Sequence, residues 1–347
     1  MYHFRNDYSF GAHPRVLQAL SATNLEGNPG YGEDPYSARA RELIRAACGC
    51  PEAAVAFLVG GTQTNATACS FLLRPWESAL CPVSGHLNGH ESGAFEGTGH
   101  KILPVPADAS GKISPRDLEP LVIQHRDPHL TRPGLVYLSD ATENGGVYTK
   151  DELTALSDFC RANGLFLFVD GARLGCALTS PANDLTLPDL ARLCDAFSIG
   201  GTKNGAIFGE ALVFPRPALA EEFFRMQKRM GAVLAKGWLI GVQFEALFAD
   251  GLYFDLARHA DEMARRLQDG LRSLGWSLWV DSPTNQVFVI VPNALLPRLD
   301  AVCTYEVWCP YDASRTVVRL VTCFQTSPAD VDGLLASLPL LPVSQPS

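Results

Sequence analysis

Leu165 to Leu178 reads LFLFVDGARLGCAL, and Phe197 to Phe214 reads FSIGGTKNGAIFGEALVF. Each stretch opens as a short apolar run and breaks at glycine. Such runs fit strands buried on both faces of a sheet. In the first, Asp170 stands at the carboxyl end of its strand. In the second, Lys203 follows its strand in a glycine-rich turn, and another apolar run comes after it.

These positions limit the chemistry. A lysine held against a cleft by close backbone loses hydration, which lowers its amine pKa and suits it to a Schiff base. Taken alone, Lys203 reads more simply as a solvated loop lysine. A buried carboxylate needs a cation or a strong donor. For Asp170 that partner is either Arg173, as a structural ion pair, or a protonated pyridine nitrogen, as in pyridoxal phosphate enzymes. The two together, at strand ends of one sheet, are much harder to explain structurally.

The same unit recurs outward from this pair. Apolar runs appear at Ala54–Val59, Ala79–Val83, Ile102–Val105 and Leu135–Leu138, besides those at Leu165–Val169, Ala196–Ile199 and Ala211–Phe214. Helical patterns lie between several of them. One starts on the cap Thr149 and stops at Gly164. Short buried strands alternating with helices predict an α/β fold with a mostly parallel sheet. Beyond Arg216 long helical patterns cover Pro217–Leu247 and Phe254–Leu274. Strand-like Val287–Val291, Val307–Cys309 and Thr316–Thr322 then alternate with helices near Leu295 and Pro328. We divide the chain into a large domain, 1–250, and a smaller C-terminal α+β domain, 251–347. The tail LPLLPVSQPS reads as frayed.

Composition sets outer bounds. At 347 residues, 47% apolar and 19% charged, the chain is globular and long enough for two domains. Lys and Arg total 28 against 37 Asp and Glu, a net charge of −9, which argues against a polyphosphate or nucleic-acid partner. Ten cysteines are too few for a disulfide scaffold. Cys48, Cys69, Cys160, Cys176 and Cys194 sit in apolar stretches and read as buried thiols of a cytoplasmic protein. No secretory h-region and no membrane-length apolar run is expected.

Three further motifs carry chemistry. In VGGTQTNA, Gly60, Gly61 and Thr62 join a strand to a helix start, a ready site for one phosphate; many ordinary α/β turns look the same. His86, His90, Glu91 and His100 fall in a glycine-rich stretch. Zinc on His86 and His90 is the weaker reading, since the glycines spoil a stiff helix; an imidazole stacked on a flat cofactor ring is the other. Arg173 and Arg319 lie in apolar surroundings. Each suits a substrate carboxylate, and each also fits an ordinary ion pair.

Taken in order, YGEDP from Tyr31, GGTQTN, SGHLNGHESGA from Ser84, PHLTRPGLVYLSDATENGGVYT from Pro128, VDGARL, GGTKNG and VRLVT from Val318 resemble the low-specificity L-threonine aldolases of the fold-type-I pyridoxal phosphate superfamily. The resemblance implies an aspartate aminotransferase-like large domain with a seven-stranded sheet. It implies pyridoxal 5′-phosphate on Lys203, Asp170 at the pyridine nitrogen, His86 on the ring face, and Gly60, Gly61 and Thr62 at the phosphate. Arg173 and Arg319, with Asn6 in place of a family serine, would hold the substrate carboxylate. His129 matches a histidine near the substrate hydroxyl. Lys236 and Tyr31 match residues that reach a partner's site in a homodimer or homotetramer. Ala141 and the Glu143-Asn144 pair depart from the family pattern and bear on substrate preference.

The implied reaction splits L-threonine, L-allo-threonine or a related β-hydroxy-α-amino acid into glycine and an aldehyde by retro-aldol chemistry. The base would be His86 first and His129 second. β-Elimination, transamination or racemisation on the same scaffold is the alternative, and a non-catalytic cofactor carrier is the reading from outside enzymology.

Overall fold

A computed structural model describes residues 1–341. Its strands are β1 (Tyr2–His3), β2 (Ala54–Leu58), β3 (Glu77–Pro82), β4 (Lys101–Val105), β5 (Arg132–Ser139), β6 (Phe166–Asp170), β7 (Ala196–Gly200), β8 (Glu210–Phe214), β9 (Ser277–Val280), β10 (Gln286–Pro292), β11 (Cys303–Thr304), β12 (Glu306–Pro310) and β13 (Arg315–Val321). The seven expected runs form one sheet in the order β2-β8-β7-β6-β5-β3-β4. Only β8 opposes its neighbours; every other pairing in this sheet is parallel.

Successive strand residues face opposite ways, and here both faces are apolar. Val136, Leu138, Leu167 and Val169 enter one core, and Leu135, Tyr137 and Phe168 the other. Helix Lys150–Asn163 shows how the sequence sets element ends. Thr149 and Glu152 form a reciprocal capping box, and Gly164 stops the helix at φ +65°.

A second sheet, β12-β13-β10-β9, is antiparallel and carries the C-terminal part. Helix Leu252–Ser273 bridges the two parts. Leu252, Tyr253 and Leu256 join the large core, whereas Met263, Leu267 and Leu271 join the small one. Strand β1 pairs in parallel with β11, and Phe4 sits in the small core, so the N-terminus is anchored in the C-terminal part.

Two expectations need correction. The single long helix over Pro217–Leu247 is instead a short 3-10 turn, helix Phe223–Arg229 and helix Trp238–Phe248. The left-handed residues Glu222 (φ +65°) and Gly231 (φ +66°) interrupt it. The expected fraying does not begin at Leu338. Leu338 is buried, and the Leu341 amide donates to the Leu274 carbonyl at 2.8 Å. The rest of that tail, 342–347, lies outside the described residues.

Candidate active site

Parallel strands end along one edge of the large sheet, the usual place for a ligand crevice in such folds. A cleft of about 460 Å³ opens there. Into it come Ser139 and Asp170, the last residues of β5 and β6, Lys203 from the turn after β7, and Glu210, which starts the reversed β8. Gly60, Gly61, Thr62, His86, Arg173 and Arg319 line it as well. The large sheet and the small sheet therefore supply one site between them.

Glycines let the two key turns meet. A side chain on Gly171 would strike the Ser198 carbonyl oxygen, and one on Gly200 would strike the Ala172 carbonyl. With hydrogen in both places, the Gly200 amide donates to the Gly171 carbonyl at 2.9 Å. This close approach brings Asp170 and Lys203 to the same cleft.

Asp170 is buried and pre-positioned. Its Oδ2 accepts from Asn65 at 2.7 Å and from the Tyr137 hydroxyl at 2.6 Å, and its Oδ1 accepts from the Ala172 amide at 2.9 Å. One N–H on Oδ1 leaves that oxygen able to take another donor. Asn65 also donates to Glu91 Oε1 at 2.8 Å, and the same oxygen meets His86 Nδ1 at 2.8 Å. A chain of polar groups thus runs from Asp170 through Asn65 and Glu91 to His86. Arg173 is not the partner of Asp170. Its Nε and Nη2 donate to Asp7 at 2.7 and 3.1 Å, and Asn285 donates to Asp7 at 2.9 Å.

The electrostatics follow from burial and neighbours. Burial, then the Arg173 charge, lowers the Lys203 amine pKa against the pull of Asp7, Glu143 and Asp170. Burial raises Glu210, although Thr202 and Lys203 oppose it. His86 is depressed by burial but raised more by the Glu91 hydrogen bond and the Glu143 and Asp170 charges, so its net shift is upward. Burial also raises Glu91. Glu91, Glu143 and Asp170 all lie near His86 and favour its charged form.

The fit to pyridoxal phosphate is tested on groups left open. The helix Gly61–Leu72 starts without a side-chain cap, and Cβ positions at Gly60 and Gly61 face space with no atom within 4 Å. An uncapped helix start presents free N–H groups to an anion. Asn65 Oδ1 and Glu91 Oε2 are buried without a partner. A phosphate cradle, an acceptor carboxylate with spare capacity and an amine of lowered pKa fit the group.

Other candidates fall elsewhere. His129 is exposed and lies before β5, whereas the cleft is at the far end of that strand, about 25 Å of chain away. Within one chain it does not reach the cleft. Asn6 does not line the cleft; its Oδ1 accepts from the Tyr8 amide at 3.1 Å and the Ser9 hydroxyl at 2.7 Å. Tyr31 lines a separate cavity of about 370 Å³. Its amide donates to Ala235 at 3.1 Å, so the exposed Lys236 lies in the adjoining loop, also outside the cleft. Among the described residues no three His, Cys, Asp or Glu side chains form a metal set. His86 is committed to Glu91, with the His90 ring 5.7 Å away.

Sequence reasoning missed Asp7, Asn65, Tyr137, Glu210, Glu306 and Trp308. Asn65 had a signal, since an Asn on the buried face of a helix demands partners. The others are brought in by tertiary contact.

Comparisons with known proteins agree with this architecture. A solved aspartate aminotransferase of Thermus thermophilus shares the fold, with a TM-score of 0.71 over 97% of this chain and 90% of that one at 15% identity. The chain belongs to the beta-eliminating lyase family, whose model matches residues 4–294. Threonine aldolases are among the proteins it is similar to. A low-specificity L-threonine aldolase of Pseudomonas sp. (strain NCIMB 10558) is 32% identical over 85% of this chain and 86% of its own length. The solved threonine aldolase of Leishmania major is 42% identical, with a TM-score of 0.95 over 97% of this chain and 98% of that one.

Proposed function

We propose that this protein is a pyridoxal phosphate-dependent aldehyde-lyase that cleaves threonine-type β-hydroxy-α-amino acids to glycine and an aldehyde. The observation that carries the reading is the convergence of Lys203, Asp170 and an uncapped helix start on one cleft. Lys203 would hold the cofactor covalently, Asp170 its ring nitrogen, His86 its face, and Gly60, Gly61 and Thr62 its phosphate. The cofactor supplies an electron sink for the carbanion left when Cα–Cβ breaks.

The chain's own groups do the rest. Burial lowers the Lys203 amine pKa, which favours its nucleophilic form. Arg319 and the remaining Nη1 of Arg173 would orient the substrate carboxylate, which fixes the bond to be broken. His86 would accept the β-hydroxyl proton. Glu91 holds its Nδ1, so Nε2 is the nitrogen free for that work. Any part for His129 or for Asn6 in the cleft would have to come from outside the geometry of a single chain.

We also infer a homodimer, or a tetramer of two dimers, with Tyr31 and Lys236 at the partner's site. Half-exposed aromatics support this: Tyr31 is 50% and Phe224 51% exposed, and Lys228 Nζ sits 4.8 Å from the Tyr31 ring. The domain boundary near 250 stands as a proposal too, with the bridging helix assigned to the C-terminal part. Cytoplasmic residence is inferred from ten free cysteines, eight of them buried. Among the described residues no helix is long and apolar enough to cross a membrane.

The deciding experiment offers L-threonine, L-allo-threonine, L-serine and L-phenylserine to the cofactor-loaded protein. Glycine plus aldehyde is expected. Pyruvate, a keto acid or an inverted substrate in its place would assign one of the other reactions.

A further inference from the structure

Two arginines face the cleft, and their ion pairs differ in kind. Arg173 and Asp7 have side chains 6% and 1% exposed. The Nε–Nη2 edge of Arg173 is fully taken by that carboxylate. Removing either partner of such a pair leaves a buried charge, which makes the pair hard to open. Arg319 is held differently. Its Nη1 donates to Gln286 at 3.1 Å, and its Nη2 pairs with Glu306. Its Nε is buried and has no partner. The fork that a carboxylate prefers is therefore half satisfied.

Glu306 is the solvent-exposed member of this arrangement. It lies directly across from Arg319 in the β12–β13 ladder, on the edge strand of the small sheet. Its side chain is 44% exposed, against 7% for Arg319. An ion pair open to water on one side is cheap to break. The Arg319 guanidinium also lies 4.8 Å from the Trp308 ring, which holds it in place whether or not Glu306 stays.

We propose that Glu306 is an internal competitor for the substrate-carboxylate position on Arg319, and that an incoming amino acid must displace it to take the Nε–Nη2 fork. The inference rests on the reading of Arg319 as the carboxylate grip. It makes Glu306 a residue that sets the affinity for ligands carrying a carboxylate, since only these must break its pair with Arg319 to bind. A neutral ligand gains nothing by displacing it. Asp7 plays no such part, because its pair with Arg173 is closed to water on both sides.

Calorimetric titration of the cofactor-loaded protein with glycine and with glycinamide tests this. Glu306→Gln should bind glycine about three- to fivefold more tightly than the parent, the span of a half-exposed ion pair. Glycinamide affinity should stay the same. Glu306→Ser should repeat the pattern, which guards against an effect peculiar to the amide. Unchanged or weaker glycine binding would overturn the proposal, as would equal tightening of both ligands. Arg319→Ala separates the underlying reading. It should weaken glycine at least about tenfold. If it does not, Arg319 is not the carboxylate grip, whatever the Glu306 variants show.

Discussion

The floor and the rim of the cleft are built on opposite terms. On the floor, Asp170 accepts three hydrogen bonds, and Asn65, Glu91 and His86 continue the network. At the rim, Tyr8 is 52% exposed and Glu306 stands half in water. The floor is fixed before any ligand arrives; the rim has groups that can exchange partners. The cofactor side of such a site gains from rigidity, because preorganised groups need not rearrange during the reaction. The substrate side must let molecules in and out.

Variants can break this contrast. Lys203→Ala strikes the floor hardest and should cut turnover by on the order of 10⁶, as loss of a covalent catalytic group does elsewhere. Absorbance should show no covalently held cofactor. Asp170→Asn should keep the shape and lose on the order of 10² to 10³ in turnover; a change below tenfold would mean that the carboxylate does not control the ring. Asp7→Ala should cost about 3 to 5 kcal/mol of folding stability in urea melts, because it strands Arg173. If the loss is under 1 kcal/mol, the pair belongs with the exchangeable rim. His86→Asn should slow cleavage at least about tenfold. His129→Asn should change it less than about twofold if one chain builds the site; a larger loss would assign His129 to a neighbouring subunit's cleft.

The gentlest test is one of pH. If His86 is the base, activity rises as His86 loses its proton. Its raised pKa puts the acid limb of the rate profile above the ordinary histidine value of about 6.5. Glu91→Gln should move that limb to lower pH without abolishing activity. Stability follows the same linkage. The His86–Glu91 contact contributes fully below the unfolded histidine value and fades as pH rises through the higher folded value. In the variant that fading should shrink in melts taken across neutral pH, leaving only what Glu143 and Asp170 sustain.

Much of the floor was legible in the sequence and little of the rim. Asp170 and Lys203 were found because strand, glycine and polar residue follow one another locally, and the same holds for Gly60–Thr62 and His86. Their partners were not, because Asp7 meets Arg173 across 166 positions and Glu306 meets Arg319 only through a strand pairing. His129 and Asn6 are the opposite case. A match in one dimension placed them at the site, and within a single chain neither lines the cleft. The large sheet was readable because seven apolar runs announced it. Strands β1, β11 and β9 were too short to register, and Pro217–Leu247 read as one helix because two left-handed residues leave almost no trace in composition.

The anchoring of β1 beside β11 has a consequence for synthesis. The residues around Tyr2 cannot take up their strand until about 300 more have been made, since Tyr2 pairs with Cys303. Asp7, a few positions on, waits nearly as long for Asn285. The nascent chain therefore carries this segment undocked while the whole of the large sheet is made, and the pocket is completed only once β11 exists.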